Sequence, residues 1–278
     1  MNFGYHFART QAAVTRRAYR AALPAIVFKH VDPPRSLPFE VFAYSSERDM
    51  PEQVASIRSF LKHAGRPKRF TVVSDGSHSG KSIFLLKKLD ASVHVQLSTR
   101  PPREYSSETF FRYLTIHPTG KQLALIMSLP QEGPALYVDS DVLFFAGAGD
   151  LENLAGRKDA DAYYLADCQL SGDPRVFCNA EEQQQPVNTG VLFLFRPLDW
   201  SLAVERFLKL DGAPDFFTNQ SLTHLAMHAN GARPLDPGKY VLQLDDQFVY
   251  KDRHASSALA LRHYVNPVRH KFWTSLHK

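Results

Sequence analysis

Residues 135–145, Ala-Leu-Tyr-Val-Asp-Ser-Asp-Val-Leu-Phe-Phe, constrain the fold of this chain more than any other stretch. Residues 136–138 have the length and composition of a central strand buried on both faces. Asp139 and Asp141 then emerge one residue apart at its end. Open α/β sheets bind their ligands outside the carboxyl ends of the strands. Two carboxylates delivered to that edge, with Ser140 between them, are hard oxygen ligands for Mg²⁺ or Mn²⁺, ions that commonly share their coordination with substrate phosphates. An Asp-rich turn closing a strand reads the same way, so the pair takes its meaning from its surroundings.

Those surroundings alternate between strand and helix. Strands are expected at residues 39–44, 70–73 and 93–97, before the Asp pair, and at 162–166, 191–195 and 241–244 after it. Asp49 can cap a helix with Pro51 in its first turn, Val54, Ile57 and Leu61 as its apolar stripe and Gly65 as its stop. Further helices are expected at 83–89, 119–129, 202–210 and 220–228. The pattern predicts an α/β domain with a mainly parallel central sheet and helices on both faces. Residues 31–38, with three prolines, form a connector that divides a basic arm (1–38) from a domain (39–278).

Composition narrows the function classes. Hydrophobic residues make up 44% and charged residues 22% of the 278 positions, which excludes global disorder. No stretch is apolar for long enough to span a membrane. Cys168 and Cys178 make no disulfide framework, so a reducing, cytoplasmic setting is expected. The net charge of +5 is uneven: Arg9, Arg16, Arg17, Arg20 and Lys29 all precede the first acidic residue, Asp32. The arm is either a solvated basic helix packed on the domain, a leader, or a peripheral contact with an anionic membrane. Basic and exposed aromatic residues are not interleaved as in a nucleic-acid-binding module, and no nucleic-acid partner is expected.

Four segments, in order, resemble a glycosyltransferase of the GT-A fold, most similar to family 8, the glycogenin and galactosyltransferase-like group. They are Phe42-Ala43-Tyr44-Ser45, Tyr137-Val138-Asp139-Ser140-Asp141, Val187-Asn188-Thr189-Gly190-Val191, and His263-Tyr264 followed by Lys271-Phe272-Trp273. The resemblance implies a GT-A nucleotide-diphospho-sugar transferase fold. It also implies a hexose moved from a nucleotide-sugar, UDP-linked in this group, to an acceptor hydroxyl with retained configuration. Asp139, Asp141 and His263 would hold Mn²⁺ or Mg²⁺. Tyr44, Ser45, Asp75, Ser140, Arg269 and Lys271 would face the nucleotide. Asn188, Thr189, Gly190, Asn219 and Gln220 would face the donor sugar, and Asp141 and Gln220 would lie at the reaction centre. The family's Asp-Gln pair is Asn219-Gln220 here, Asn266 and Phe272 replace a Gly and a Pro of its tail pattern, and two residues are inserted before Lys271. The acceptor, whether glycan, lipid or protein, would meet loops 167–186 and 211–218.

Rival motifs are present. Gly76-Ser77-His78-Ser79-Gly80-Lys81-Ser82 is one residue short of a phosphate-binding loop, and loop length fixes where its N–H groups point. A phosphatase of the haloacid-dehalogenase type also uses a strand-end D-x-D, with Asp139 as nucleophile and Asp245-Asp246 as a later acidic pair, but that motif normally opens its domain. His224 and His228 lie one turn apart with Leu225 where a zinc hydrolase needs Glu, and are expected to be structural. A catalytically silent sugar-binding relative is the remaining alternative.

Overall fold

The computed structural model describes residues 2–97, 101 and 107–277. It opens with helix α1 (Phe3–Phe28), followed by β1 (Glu40–Ser45), α2 (Met50–His63), β2 (Arg69–Ser74), α3 (Gly80–Lys87) and β3 (Val93–Gln96). Then come α4 (Glu108–Ile116), α5 (Pro118–Met127), β4 (Ala135–Val138), β5 (Val142–Phe144), α6 (Asp150–Ala155), β6 (Ala162–Ala166) and β7 (Val187–Leu194). The chain finishes with α7 (Ser201–Leu208), α8 (Thr218–Ala229), β8 (Arg233–Pro234), β9 (Tyr240–Val241), β10 (Leu261–His263) and α9 (Arg269–Ser275).

A central sheet runs in the order β3-β2-β1-β4-β7-β6-β8. The β3-β2-β1-β4 half is parallel, β7 is antiparallel to both β4 and β6, and β8 pairs parallel with β6. The expected α/β architecture with a mostly parallel sheet is therefore present. Alternate residues of β4 feed two cores, because successive strand side chains point to opposite faces. Leu136 and Val138 join Val41, Val54, Ile57 and Phe193 on one side, whereas Ala135 and Tyr137 join Leu123, Ile126, Leu192 and Leu222 on the other.

The structure differs from the sequence reading in several elements. Residues 142–144 form a separate strand, β5, which leaves the main sheet and pairs with β10 and β9 in a second, three-stranded sheet. Helix α4, with Phe110, Tyr113 and Leu114 buried on one stripe, was not read from the sequence although its spacing is helical. The late strand expected at 241–244 is shorter and earlier, Tyr240–Val241. The ends of the helices expected at 83–89 and 220–228 shift by a few residues, as termini do.

Helix α1 packs against α9, α2 and α3. Residue 24 within it is a proline, and Ala8, Ala12, Leu23 and Val27 are its buried positions. Among the described residues, no helix is long and apolar enough to cross a membrane.

Candidate active site

The two sheets meet at the Asp pair. Asp139 follows β4 and is tied to β7 by its N–H, which donates to the Gly190 carbonyl at 2.8 Å. Asp141 precedes β5, and its carbonyl accepts from Tyr264 N at 3.0 Å. Register places His263 of β10 opposite Val142, so a strand more than a hundred residues away delivers an imidazole beside the carboxylates. His263 Nε2 lies 3.0 Å from Asp141 Oδ1 and 3.6 Å from Asp139 Oδ2. One ligand atom from each of the three residues falls within 4.8 Å of the others.

Asn188 sets the imidazole. Its Oδ1 accepts from Gly190 N at 2.9 Å, and its Nδ2 donates to Asp167 Oδ2 at 3.1 Å, which fixes the amide orientation. The same Oδ1 lies 2.8 Å from His263 Nδ1, so Nδ1 carries a proton and donates. Nε2 is thereby the ring nitrogen offered to the carboxylates or to a metal. Gly190 is required by close approach: a Cβ there would lie 2.1 Å from His263 Cε1 and 2.9 Å from Asn188 Oδ1.

A second network holds Asp139. Tyr137, two residues earlier and on the same strand face, donates to Asp139 Oδ1 at 2.8 Å, and Gln122 Nε2 of α5 donates to the same oxygen at 3.0 Å. Gln122 Oε1 in turn accepts from Asn219 Nδ2 of α8 at 3.0 Å. Gln122 was not among the residues picked out from the sequence, since a contact between α5, β4 and α8 leaves no local pattern. The Tyr137–Asp139 pair was accessible from the period of two along a strand.

Burial raises the Asp139 carboxyl, with Asp141 adding to the rise and His263 opposing it. Asp141 is buried too, but Arg269 and His263 outweigh desolvation and hold its carboxyl below the usual range. Desolvation opposes a charge on His263, yet the facing carboxylates raise its pKa. Arg269 Nη2 donates to Asp141 Oδ2 at 2.8 Å, and its Nη1 lies 3.8 Å from Asp49 Oδ1.

Other expected residues divide into those at this edge and those elsewhere. Gln220 Nε2 donates to the Ser171 carbonyl at 2.5 Å and to Asp167 Oδ2 at 3.3 Å, so Asp167 joins Asn188 and Gln220. Tyr44 and Ser45 end β1, and the Tyr44 hydroxyl and Ser45 Oγ are buried without a hydrogen-bond partner among the described residues. Burial lifts the Tyr44 hydroxyl above its ordinary range. Asp75 follows β2, where its Oδ1 accepts from Ser77 N at 2.8 Å and shapes its own turn. Ser140 and Thr189 are buried. Lys271 is not brought to the carboxylates. It is fully buried, and Nζ donates to the carbonyls of Val249 (2.7 Å) and Lys251 (2.9 Å). The physical reason is helical: two residues along α9 turn a side chain by about 200°, so Lys271 points away when Arg269 reaches Asp141.

The rival motifs are occupied by internal contacts. At the N-terminus of α3, the place of an anion in a phosphate loop is taken by Glu47, which accepts from Ser79 N at 2.9 Å and Ser82 Oγ at 2.8 Å. Asp246 is buried against Arg262, whose Nη2 donates to its Oδ1 at 2.8 Å. His224 is structural, as expected: Nδ1 accepts from Val187 N at 3.2 Å and Nε2 donates to the Glu182 carbonyl at 2.6 Å.

No protein-family model and no curated protein matches this sequence. Solved structures do match. The galactosyltransferase LgtC, in complex with donor and acceptor sugar analogues, superposes with a TM-score of 0.56 at 16% identity over 82% of this chain and 88% of that one. Mouse xyloside xylosyltransferase 1 gives 0.53 at 12% identity over 84% and 99%. The glycosyltransferase GlyE of Streptococcus pneumoniae TIGR4 gives 0.53 at 14% identity over 87% and 61%. The chain has the fold of the GT-A glycosyltransferases.

Proposed function

We propose that the protein transfers a hexose from a UDP-sugar to an acceptor hydroxyl with retention of configuration, in the manner of family 8, using Mn²⁺ or Mg²⁺. The observation that carries this reading is the convergence of Asp139, Asp141 and His263 at the carboxyl edge of a GT-A sheet, with His263 Nε2 presented by Asn188. Two carboxylate oxygens and one imidazole nitrogen suit Mn²⁺, and Mg²⁺ through the oxygens. The ion would be held by these three residues and would supply neutralisation of the charge that develops on the leaving diphosphate.

The chain's own residues do the rest. Arg269, in hydrogen-bond contact with Asp141, places a second positive charge where the phosphates would lie. Asn188, Asn219 and Gln220 offer amides to sugar hydroxyls, with Asp167 and Gln122 fixing their orientation. Transfer breaks the bond from the anomeric carbon to the phosphate oxygen and forms one to the acceptor oxygen. The acceptor's proton passes to the departing phosphate, so no dedicated base is needed. Asp75, Tyr44 and Ser45 would line the nucleoside end.

The test is transfer from UDP-hexoses at saturating Mn²⁺ for the native chain and Asp141→Asn. The reading predicts metal-dependent release of UDP that falls about a hundredfold to a thousandfold in the variant, with an unchanged circular dichroism spectrum. Thermal stabilisation by UDP that requires Mn²⁺ is the second expected result. Release of phosphate from monoesters, with no response to nucleotide-sugars, would overturn the reading in favour of a phosphatase.

A further inference from the structure

Helix α1 docks through Ala8, Ala12, Leu23 and Val27, yet its opposite face is apolar as well. Phe3, Phe7, Val14 and Phe28 are 77%, 64%, 61% and 64% exposed. At helical spacing these four fall within an arc of about 60°; Ala21, Ala25 and the exposed Thr10 lie on the same arc, with Ala18 about 20° beyond its edge. The line runs the length of the helix, roughly 39 Å. Phe248 and Tyr250, 56% and 40% exposed, widen it at the N-terminal end. The rings of Phe7 and Tyr250 are 5.5 Å apart, and those of Tyr5 and Phe248 are 5.4 Å apart. Single exposed apolar side chains are ordinary on a protein surface, whereas a continuous line of them marks an interaction face.

Charge selects the occupant. Helix α1 contains no Asp or Glu, and Arg9, Arg17 and Arg20 are exposed along one flank with Lys29 just past its end. Arg16 is spent inward instead, donating to Glu52 through Nε (2.5 Å) and Nη2 (2.9 Å), which fixes the rotation of the helix on the domain. A second copy docked through this face would set like charges against each other. An anionic bilayer satisfies both halves of the pattern: the Phe rings enter the headgroup–acyl boundary while the guanidinium groups meet lipid phosphates. Helix α1 is not apolar enough to cross a membrane, so contact with a bilayer would run along its length.

We propose that the outward face of α1, together with Phe248 and Tyr250, seats this protein on an anionic lipid surface. The seat adjoins the site: the Tyr5 ring lies 5.4 Å from that of His270, the neighbour of Arg269. The inference stands independently of glycosyl transfer, because it concerns a face that holds none of the metal-binding or sugar-facing residues.

The experiment is vesicle flotation of the full chain, without donor or metal. Vesicles are pure phosphatidylcholine or contain about 30% phosphatidylglycerol, at low and at physiological salt. The native chain is expected to float with the anionic vesicles only. The triple variant Phe3→Ser, Phe7→Ser, Phe28→Ser is expected to lose on the order of tenfold or more in partitioning, with unchanged circular dichroism and melting temperature. Arg9→Gln, Arg17→Gln, Arg20→Gln should abolish the preference for anionic lipid, and Asp141→Asn should float like the native chain. Absence of flotation overturns the proposal, as does equal flotation of the Ser variant. A native dimer that the Ser variant dissolves, with no flotation, would assign the face to a second copy and overturn it equally.

Discussion

His263 donates through Nδ1 to Asn188 Oδ1 at 2.8 Å, and that one bond decides which ring nitrogen faces Asp141. Partners of this kind, one step beyond a metal's ligands, fix tautomer and ring direction, and their loss typically weakens metal binding about 10–100-fold. Asn188→Ala is therefore expected to raise the Mn²⁺ concentration needed for half-maximal turnover by about that factor. Excess Mn²⁺ should restore most of the rate. An unchanged Mn²⁺ requirement would mean that Asn188 serves only the sugar.

Gly190 makes the same geometry possible by having no side chain. A Cβ would come within 2.5 Å of His263 Nδ1, in a wall where the imidazole is buried and cannot yield cheaply. Gly190→Ala should cost about 1–3 kcal/mol in urea unfolding, the usual range for overpacking. It should also abolish stabilisation by Mn²⁺, because the ring is displaced from Asp141. A variant with native stability and native metal response would show that the strand can shift to absorb the methyl group.

Which parts of this arrangement were legible follows from the range of the forces involved. Strand β4 announced itself through a continuous apolar run ending in two carboxylates. Strands β5 and β10 did not, because three residues are too few to display a period, and their pairing is set by a partner more than a hundred positions away. Tyr137 and Asp139 share a strand face, a relation that the sequence contains. Gln122 meets Asp139 only because α5 packs beneath β4, and nothing local records that. The tail resemblance names both Arg269 and Lys271, and the helical phase of α9 brings only Arg269 to Asp141 while Lys271 turns inward to the Val249 and Lys251 carbonyls. The basic arm carried its charge pattern openly, but which of its residues turn inward depended on Glu52 and Trp273, the latter also donating to Glu52 at 3.1 Å.

Gln122 bridges Asp139 and Asn219, with hydrogen bonds of 3.0 Å to each. Groups sharing one network are not additive, and interaction energies of roughly 0.5–3 kcal/mol are usual for them. Gln122→Ala and Asn219→Ala should each raise the donor KM, and the double variant should cost less than the sum of the two. Additive losses in kcat/KM would separate the metal side from the sugar side and remove Gln122 from any positioning role.

His224 predicts how stability depends on pH. Burial, reinforced by the His228 ring 4.4 Å away, pushes its pKa down to about 4 from the ordinary 6.5. Between those values the unfolded chain binds a proton that the folded chain refuses, so the unfolded state gains as pH falls. This part of the stability is complete above about pH 6.5, declines as pH drops, and levels off below about pH 4, with a depth on the order of 3 kcal/mol. Half-buried His270, also pushed down to about 4, acts in the same direction, so the total slope alone does not isolate His224. His224→Gln does, because a Gln amide can still accept from Val187 N and donate to the Glu182 carbonyl while binding no proton. Urea unfolding of both chains from pH 4 to 7 should show the variant gaining on the native protein as pH falls. Parallel curves would mean that the His224 side chain takes up its proton as readily in the folded chain as in the unfolded one.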